Sequence, residues 1–216
     1  MNKQQIYAWA GMVGVALFVL TVILEGWYRP DYKPLQMAIS ELALGPRGWI
    51  GISINIIYGL LLLVFSRGIA AEFPNGKASR GGLIILILIA VGIFLSGIFV
   101  MDPVNTPGEQ MTFHGRMHGI VGIPMMILLP ICCFVYLRRF LVDPKWQFLR
   151  YWTLVFGILS AYVYLIGPIS LISPESRNFM QNYMGFHQRI FALSFSAWIF
   201  VFALGMLKQS RKNQVQ

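Results

Sequence analysis

Residues 81–101 read GGLIILILIAVGIFLSGIFVM, an apolar run that contains no charged side chain. A helix needs about 20 predominantly apolar residues to cross the hydrocarbon core of a bilayer, and this run has that length. Arg80 precedes the run and Asp102 follows it, so charged groups bound it on both sides. The run therefore predicts a transmembrane helix.

The same pattern occurs five more times along the chain. The six predicted spans cover residues 6–26, 48–66, 81–101, 119–137, 151–172 and 187–207. They take up more than half of the 216 residues and leave only short connections between them. We therefore predict an all-α polytopic membrane protein, a six-transmembrane-helix bundle, in which residues 1–216 form a single transmembrane domain.

Composition and charge support a membrane location and argue against nucleic acid as a partner. Hydrophobic residues make up 57% of the chain and charged residues 12%, whereas soluble domains have roughly 25% charged residues. The formal charge of +9 is spread over the ends of the apolar runs and is not gathered on one face, as a nucleic-acid binder requires. Membrane lipids are the expected partners. The oligomeric state stays open.

The distribution of lysine and arginine predicts how the chain is oriented. These residues are more numerous in the connections on the side that carries both termini, and the richer side is normally cytoplasmic. We expect a multi-pass protein of the cell membrane with cytoplasmic N- and C-termini. The connections near residues 27–47, 102–118 and 173–187 then lie outside.

Three of these connections carry local signals. Thr106, Pro107 and Glu109 match a capping box with proline at the first helical position, which predicts that a helix begins there and continues into the fourth span. Residues 34–45, PLQMAISELALG, predict a short helix lying at the membrane interface. A helix starting at Ser173 is expected to break near Gly185. Glu25, at the end of the first span, is expected to pair with Arg29.

All three histidines lie at the predicted outer ends of spans. His114 and His118 are one helical turn apart, so both rings project from one face, a spacing that suits two ligands of one metal ion. His187 begins the sixth span and Asp102 ends the third at the same membrane face. We predict a zinc site in which the three histidines are metal ligands and Asp102 is the catalytic residue that orients or deprotonates the zinc-bound water.

Three other polar residues are candidates at this face. Ser40 is a candidate catalytic residue that contacts a substrate carbonyl, and the alternative is that it faces water. Arg116 and Arg189 are candidate substrate-binding residues for a phosphate or carboxylate, and the alternative is that both anchor their helices in the headgroup region.

Four features together resemble a DUF998-like family of uncharacterised bacterial six-span membrane proteins. They are the stretch AISELALGPRGW at residues 38–49, the dipeptide Asp102-Pro103, the stretch HGRMH at residues 114–118, and His187. The resemblance implies a fold and a membrane location but no activity. The residue inventory is also similar to that of the CREST membrane hydrolases, which set one Ser, one Asp and three His around a zinc ion that hydrolyses lipid amides, although their order along the chain differs.

The sequence leaves three functions open. The first is a zinc-dependent hydrolase of a lipid amide or ester at the outer leaflet. The second is a non-catalytic membrane scaffold or sensor, in which the polar cluster only ties helices together. The third is electron transfer through a b-type haem held by His187 and one histidine of the His114 and His118 pair.

Overall fold

The computed structural model describes residues 1–73, 77–104, 106–166, 168 and 172–212. The described residues contain helices and no β-strand. The α-helices are α1 (Lys3–Tyr28), α2 (Gly48–Glu72), α3 (Lys77–Ile98), α4 (Phe113–Val142), α5 (Arg150–Ile166), α6 (Pro174–Asn182) and α7 (Met184–Lys212). Short 3-10 helices lie at Ile39–Ala43, Gly108–Gln110 and Gln147–Leu149.

Six of these helices pack as a closed ring in the order α1, α2, α3, α4, α5, α7, with α7 returning against α1. Helices that follow one another along the chain are joined by short connections, so neighbours run antiparallel. Both termini therefore lie at one end of the bundle, which we call the terminal end. The connections at residues 29–47 and 99–112 and the helix α6 lie at the opposite end, which we call the His end.

Five helices of the described part, namely α1, α2, α3, α4 and α7, are long and apolar enough to cross a membrane. They coincide with five of the six predicted spans. The remaining span was predicted over residues 151–172. Helix α5 covers its first part, and residues 167 and 169–171 of that prediction lie outside the described residues.

The outer surface of the ring is apolar, as a lipid-facing surface must be. Ile120 and Ile123 on α4 are 64% and 63% exposed, and Leu20 and Ile84 are also exposed. No described helix hides its whole apolar surface in the protein core. This distribution confirms the all-α polytopic membrane bundle.

Inside the ring, the terminal half of the bundle is filled by aromatic side chains. Their ring centroids lie between 5.1 and 6.4 Å apart in edge-to-face, stacked and tilted pairs. The members are Phe73, Tyr136, Phe140, Trp146, Trp198 and Phe202. This half is therefore a packed core, and the space for a site lies nearer the His end.

Two predicted connection helices differ from the observed ones. The fourth span was expected to begin its helix at Thr106, but α4 begins at Phe113, and only the 3-10 turn Gly108–Gln110 precedes it. Residues 34–45 were expected to form an interfacial helix, but only Ile39–Ala43 is helical. That turn is buried by α2, where a Cβ added at Gly51 would lie 2.6 Å from the Leu42 carbonyl carbon. Close backbone packing, rather than the membrane interface, holds this segment.

Candidate functional site

The first turn of α7 is held by a segment from the connection between α1 and α2. The Gly185 N–H donates to the Gln36 carbonyl at 3.3 Å, and the Phe186 N–H donates to the Leu35 carbonyl at 2.9 Å. The first N–H groups of a helix have no partner within the helix, so these two bonds satisfy groups that would otherwise need water. We call residues 32–39 the docking loop. The predicted break before α7 falls at Tyr183, two residues before Gly185.

Arg189 fixes the docking loop from the α7 side. Its Nη1 donates to the carbonyls of Pro34, Met37 and Gly185, the last two at 3.1 Å, and its Nη2 donates to the Tyr32 hydroxyl at 2.7 Å. Burial raises the pKa of Tyr32, so its hydroxyl keeps its proton and donates it to the Ala38 carbonyl at 2.8 Å. Arg189 was predicted to bind substrate. In the structure its Nη1 and Nη2 instead donate to the docking loop and to the first turn of α7.

Two ion pairs at the His end differ from the predicted Glu25–Arg29 pair. Arg47 binds Glu25 through two bonds, Nε to Oε2 at 2.9 Å and Nη2 to Oε1 at 2.5 Å. Arg29 instead donates to Asp31 at 3.2 Å and to the Leu42 carbonyl at 3.2 Å, and the guanidinium holds the pKa of Asp31 below its ordinary value. Sequence proximity favoured Arg29, but α2 brings Arg47 to the carboxylate in a two-pronged geometry.

His114 and His118 project from one face of α4, as their spacing predicts, and both meet the end of α3. The Nδ1 of His114 donates to the Ile98 carbonyl at 3.2 Å, and the Nδ1 of His118 donates to the Phe99 carbonyl at 2.7 Å. The last carbonyls of a helix lack partners within it, so the imidazoles cap the end of α3. Because a carbonyl oxygen only accepts, each Nδ1 carries a proton, and in a neutral imidazole of this tautomer Nε2 is the acceptor.

Asp102 determines where α4 begins. Its carboxylate accepts hydrogen bonds from the backbone N–H and the hydroxyl of Thr112, both at 2.8 Å. The Thr112 hydroxyl in turn accepts from the Gly115 N–H at 3.0 Å as the N-cap of α4. This is the physical reason why the helix begins after Thr112 rather than at the capping-box sequence. Both carboxylate oxygens of the predicted catalytic Asp102 serve this cap.

A cavity of about 460 Å³, which we call the wide cavity, opens at the His end between α4, α6 and α7. Three predicted site residues line it, namely Ser40, His118 and His187. Most of the other lining residues are apolar, among them Met101, Met126, Met184 and Phe191. Ile123 also lines the cavity and is 63% exposed, so the opening reaches the lipid-facing surface beside α4.

His187 is the most deeply buried polar group of this wall. Only 3% of the residue is exposed, and among the described residues neither ring nitrogen has a hydrogen-bond partner. Its neighbours are the rings of Tyr162, Phe179 and Phe186, at centroid distances of 5.7 to 6.0 Å. Buried polar groups in proteins are nearly always hydrogen-bonded. The unpaired imidazole among the lining residues is therefore a candidate partner for a polar group of a ligand.

The predicted three-histidine zinc site does not fit this geometry. Within the described part of the chain, no group of three or more His, Cys, Asp or Glu side chains stands close enough to hold a metal ion. His114 does not line the wide cavity, and Asp102 is engaged with Thr112. Arg116 donates to the Gly108 carbonyl at 3.4 Å, outside the cavity. Binding of zinc or of haem stays a prediction without support from these positions.

Three features of the wide cavity were not predicted from the sequence. Gln188 lines the wide cavity, and its Oε1 accepts the Ile39 N–H at 2.5 Å, so it belongs to the contact of α7 with the docking loop. Arg177 on α6 is an exposed cation at the cavity. Gly119 and Gly122 line it from α4. The i, i+3 spacing of these two glycines on α4 can be seen in the sequence. The open space beside them can be seen only in the structure.

A helix ring with an apolar exterior and a polar group buried in a cavity at one end defines a polytopic α-helical membrane protein. Residues 12–205 match the family described as Protein of unknown function (DUF998), and the chain belongs to that family. No curated protein and no solved structure matches the chain. The similarity to the CREST hydrolases stays a prediction.

Proposed function

We propose that this membrane protein binds an amphipathic molecule, taken from the surrounding lipid, in the wide cavity at the His end. The observation that carries the proposal is His187, 3% exposed, with both ring nitrogens unpartnered among the described residues, in the wall of a largely apolar cavity. An unpaired buried polar group costs free energy that a ligand's polar group recovers.

The cavity wall also indicates the chemistry of the ligand. Binding sites for small molecules are mostly apolar, with a few polar groups that fix orientation. Here the apolar part suits a hydrocarbon chain, whereas Arg177 and a ring N–H of His187 suit a carboxylate or phosphate headgroup. The exposed position of Ile123 gives such a molecule a path from the bilayer into the cavity.

The test uses the protein in phosphatidylcholine nanodiscs and a fatty acid that carries a photoreactive diazirine next to its carboxylate. We expect saturable labelling of Met184 and Phe191, which line the wide cavity. His187→Phe keeps a ring in an aromatic environment but removes the polar group, and should lower saturable labelling by about tenfold, the effect of about 1.4 kcal/mol.

The matched control is His114→Phe, the same chemical change at a histidine that does not line the wide cavity. It should leave the labelling unchanged. Labelling that does not saturate, or that falls equally in both variants, would contradict the proposal, because either result means that the probe reports lipid contact or general damage rather than the cavity.

Hydrolysis of an ester or amide bond in the bound lipid is a second candidate function. It is favoured by one observation, that the hydroxyl-bearing Ser40 and the imidazoles of His118 and His187 line the same cavity. In such a reaction Ser40 attacks the carbonyl while an imidazole takes its proton. The ester or amide bond breaks, the alcohol or amine leaves with that proton, and water then hydrolyses the acyl-serine to release the carboxylic acid. The zinc-dependent form of this hydrolase is the alternative that the sequence predicted.

The p-nitrophenyl ester of dodecanoic acid tests this candidate in the same nanodiscs. Release of p-nitrophenol should be lost in Ser40→Ala and retained in His114→Ala. Loss of activity with a chelator and its return with zinc would support the metal-dependent form instead. Equal rates for wild type, Ser40→Ala and empty nanodiscs would exclude hydrolysis of this ester.

A further inference from the structure

A second, smaller cavity of about 120 Å³, which we call the deep cavity, lies next to the wide cavity inside the helix ring. Residues from α1, α2, α3, α4 and α7 line it. The two cavities share part of their walls, so they lie side by side inside the protein. The shared residues are Ser40, His118, Gly122, Met126, Gln188 and Phe191.

The deep cavity presents a mostly satisfied, apolar wall. Of its polar groups, the Tyr58 and Ser196 hydroxyls bond to each other at 3.2 Å, and the Ser96 hydroxyl donates to the Gly92 carbonyl at 2.9 Å. Asn55 supplies one amide, and the remaining wall includes Ile93, Leu129, Phe191 and Phe195. Water finds few free partners in such a space, whereas a hydrocarbon chain fits it.

Gly122 lies in the wall that the two cavities share. A Cβ added at this glycine would have no heavy atom within 4 Å, and the same is true of Gly119 on the wide-cavity side. Glycine inside a helix costs roughly 0.5–1 kcal/mol relative to alanine, and no packing contact of the described residues requires it here. What the glycine provides is open space in the wall that the two cavities share.

The deep cavity is large enough for one hydrocarbon chain. Leu129, in the deep cavity, is two helical turns beyond Gly122 on α4, which corresponds to about 10 Å along the helix axis. A cavity of about 150 Å³ holds one benzene ring, so a space of about 120 Å³ admits the end of a single hydrocarbon chain and not two chains side by side.

From these observations we infer that the ligand is a single-chain amphiphile, whose headgroup lies beside His187 in the wide cavity and whose chain passes Gly122 into the deep cavity. The inference rests on the proposed function and adds the class of ligand and its direction of binding. His187 provides the independent indication of a ligand, since its unpartnered ring lines the cavity into which Gly122 opens. A two-chain lipid has no second place for its other chain in the deep cavity.

Two photoreactive fatty acids test the inference in nanodiscs, one with the diazirine beside the carboxylate and one with it beside the terminal methyl group. We expect the first to label residues of the wide cavity, such as Met184, and the second to label residues of the deep cavity, such as Leu129 and Phe195. Excess unlabelled hexadecanoate should suppress both, and excess dipalmitoyl phosphatidylcholine should not.

Gly122→Leu is the decisive variant. A Cβ at Gly122 meets no heavy atom within 4 Å, so we expect the fold to tolerate a leucine there, and we expect the leucine side chain to block the chain's path past this position. Labelling of the deep cavity by the terminal probe should fall by about tenfold or more relative to labelling of Met184 by the carboxylate probe. Gly81→Leu is the matched control, because a Cβ at Gly81 also meets nothing within 4 Å and Gly81 lines neither cavity.

The outcomes separate this inference from the proposed function. If the carboxylate probe labels the wide cavity but the terminal probe labels lipid-facing residues such as Ile120, the chain stays in the bilayer and the inference is wrong, while the proposed function stands. If terminal labelling of the deep cavity is the same in wild type and Gly122→Leu, the chain does not pass this position and the inference is also wrong. If neither probe labels either cavity saturably, the proposed function itself fails.

Discussion

Arg189 is the single side chain on which the docking loop most depends. It donates to three backbone carbonyls and to the Tyr32 hydroxyl, joining two stretches of chain that are far apart in sequence. Arg189→Leu leaves the carbonyls of Pro34 and Met37 without these donors. Because hydrogen bonds to charged groups contribute about 1.5–3 kcal/mol, we expect the free energy of unfolding to fall by about that amount or more, measured as a lower melting temperature in detergent.

Arg177→Leu is the matched control for that prediction, since it removes an exposed arginine from the same end of the bundle. Its melting temperature should stay near that of wild type. Arg189→Lys should recover only part of the stability, because an ammonium group lacks the planar arrangement of donors. Equal stability of Arg189→Leu and wild type would show that the other contacts of the loop, which are its backbone bonds and the bond to Gln188, are sufficient to hold it.

At the residue scale, sequence reasoning placed candidate residues at one end of the molecule but did not predict their contacts. The one-turn spacing of His114 and His118 correctly placed both rings on one face, and the sequence placed Ser40 and His187 at the same end of the molecule as the pair. It did not foresee that both rings of the pair would cap α3, or that Asp102 would serve Thr112. Those partners come from another helix end, and no local pattern specifies them.

Helices α2 and α3 approach each other through glycines, which makes their contact sensitive to a single methyl group. A Cβ at Gly59 on α2 would lie 2.6 Å from the Phe94 nitrogen, and one at Gly97 on α3 would lie 2.8 Å from the Ile52 carbonyl oxygen. Small residues allow such close backbone packing between membrane helices. Gly59→Ala should therefore lower the free energy of unfolding by about 1–3 kcal/mol, measured by thermal unfolding in detergent.

Gly81→Ala, on the same pair of helices, is not expected to lower the free energy of unfolding. Nothing lies within 4 Å of a Cβ there, so the change should be neutral or stabilise α3 by up to about 1 kcal/mol through its helix propensity. A loss of stability in Gly81→Ala as large as in Gly59→Ala would mean that the loss does not come from the α2–α3 contact.

At the element scale, length and hydrophobicity predicted the helices well because a bilayer imposes the same length on each span. The termini were predicted less well. The capping-box signal at Thr106 predicted the wrong helix start, because the contact between Asp102 and Thr112 places the start of α4 after Thr112. Part of the segment 34–45 packs against Gly48 and Gly51 of α2 instead of lying at the membrane interface. Tertiary contacts determined both helix boundaries. Local helix propensity carries no information about such contacts.

For the whole molecule, the cytoplasmic location of both termini stays a prediction that single cysteines can test. Cys132 and Cys133 are buried, so the background reaction with a membrane-impermeant maleimide should be low. In intact cells, Glu109→Cys at the His end should react and Arg211→Cys at the terminal end should not. Both positions are exposed, and both should react once the membrane is opened.

Reaction of Arg211→Cys but not of Glu109→Cys in intact cells would reverse the predicted orientation. It would also place the wide cavity on the cytoplasmic side. The ring order of the helices was not predictable in the same way, because apolar runs report that a helix spans the membrane and not which neighbour it packs against. The return of α7 against α1 is such a contact.

The docking loop has a consequence for how the protein is made. Residues 32–39 leave the ribosome early in synthesis, but the first turn of α7, with which they pair, follows about 150 residues later. Until then the ring lacks one member, and neither cavity has the wall that α7 provides. We therefore expect the earlier helices to stay in the membrane as an open arc until α7 arrives, and a chain that stops before residue 184 to lack part of the wall of both cavities.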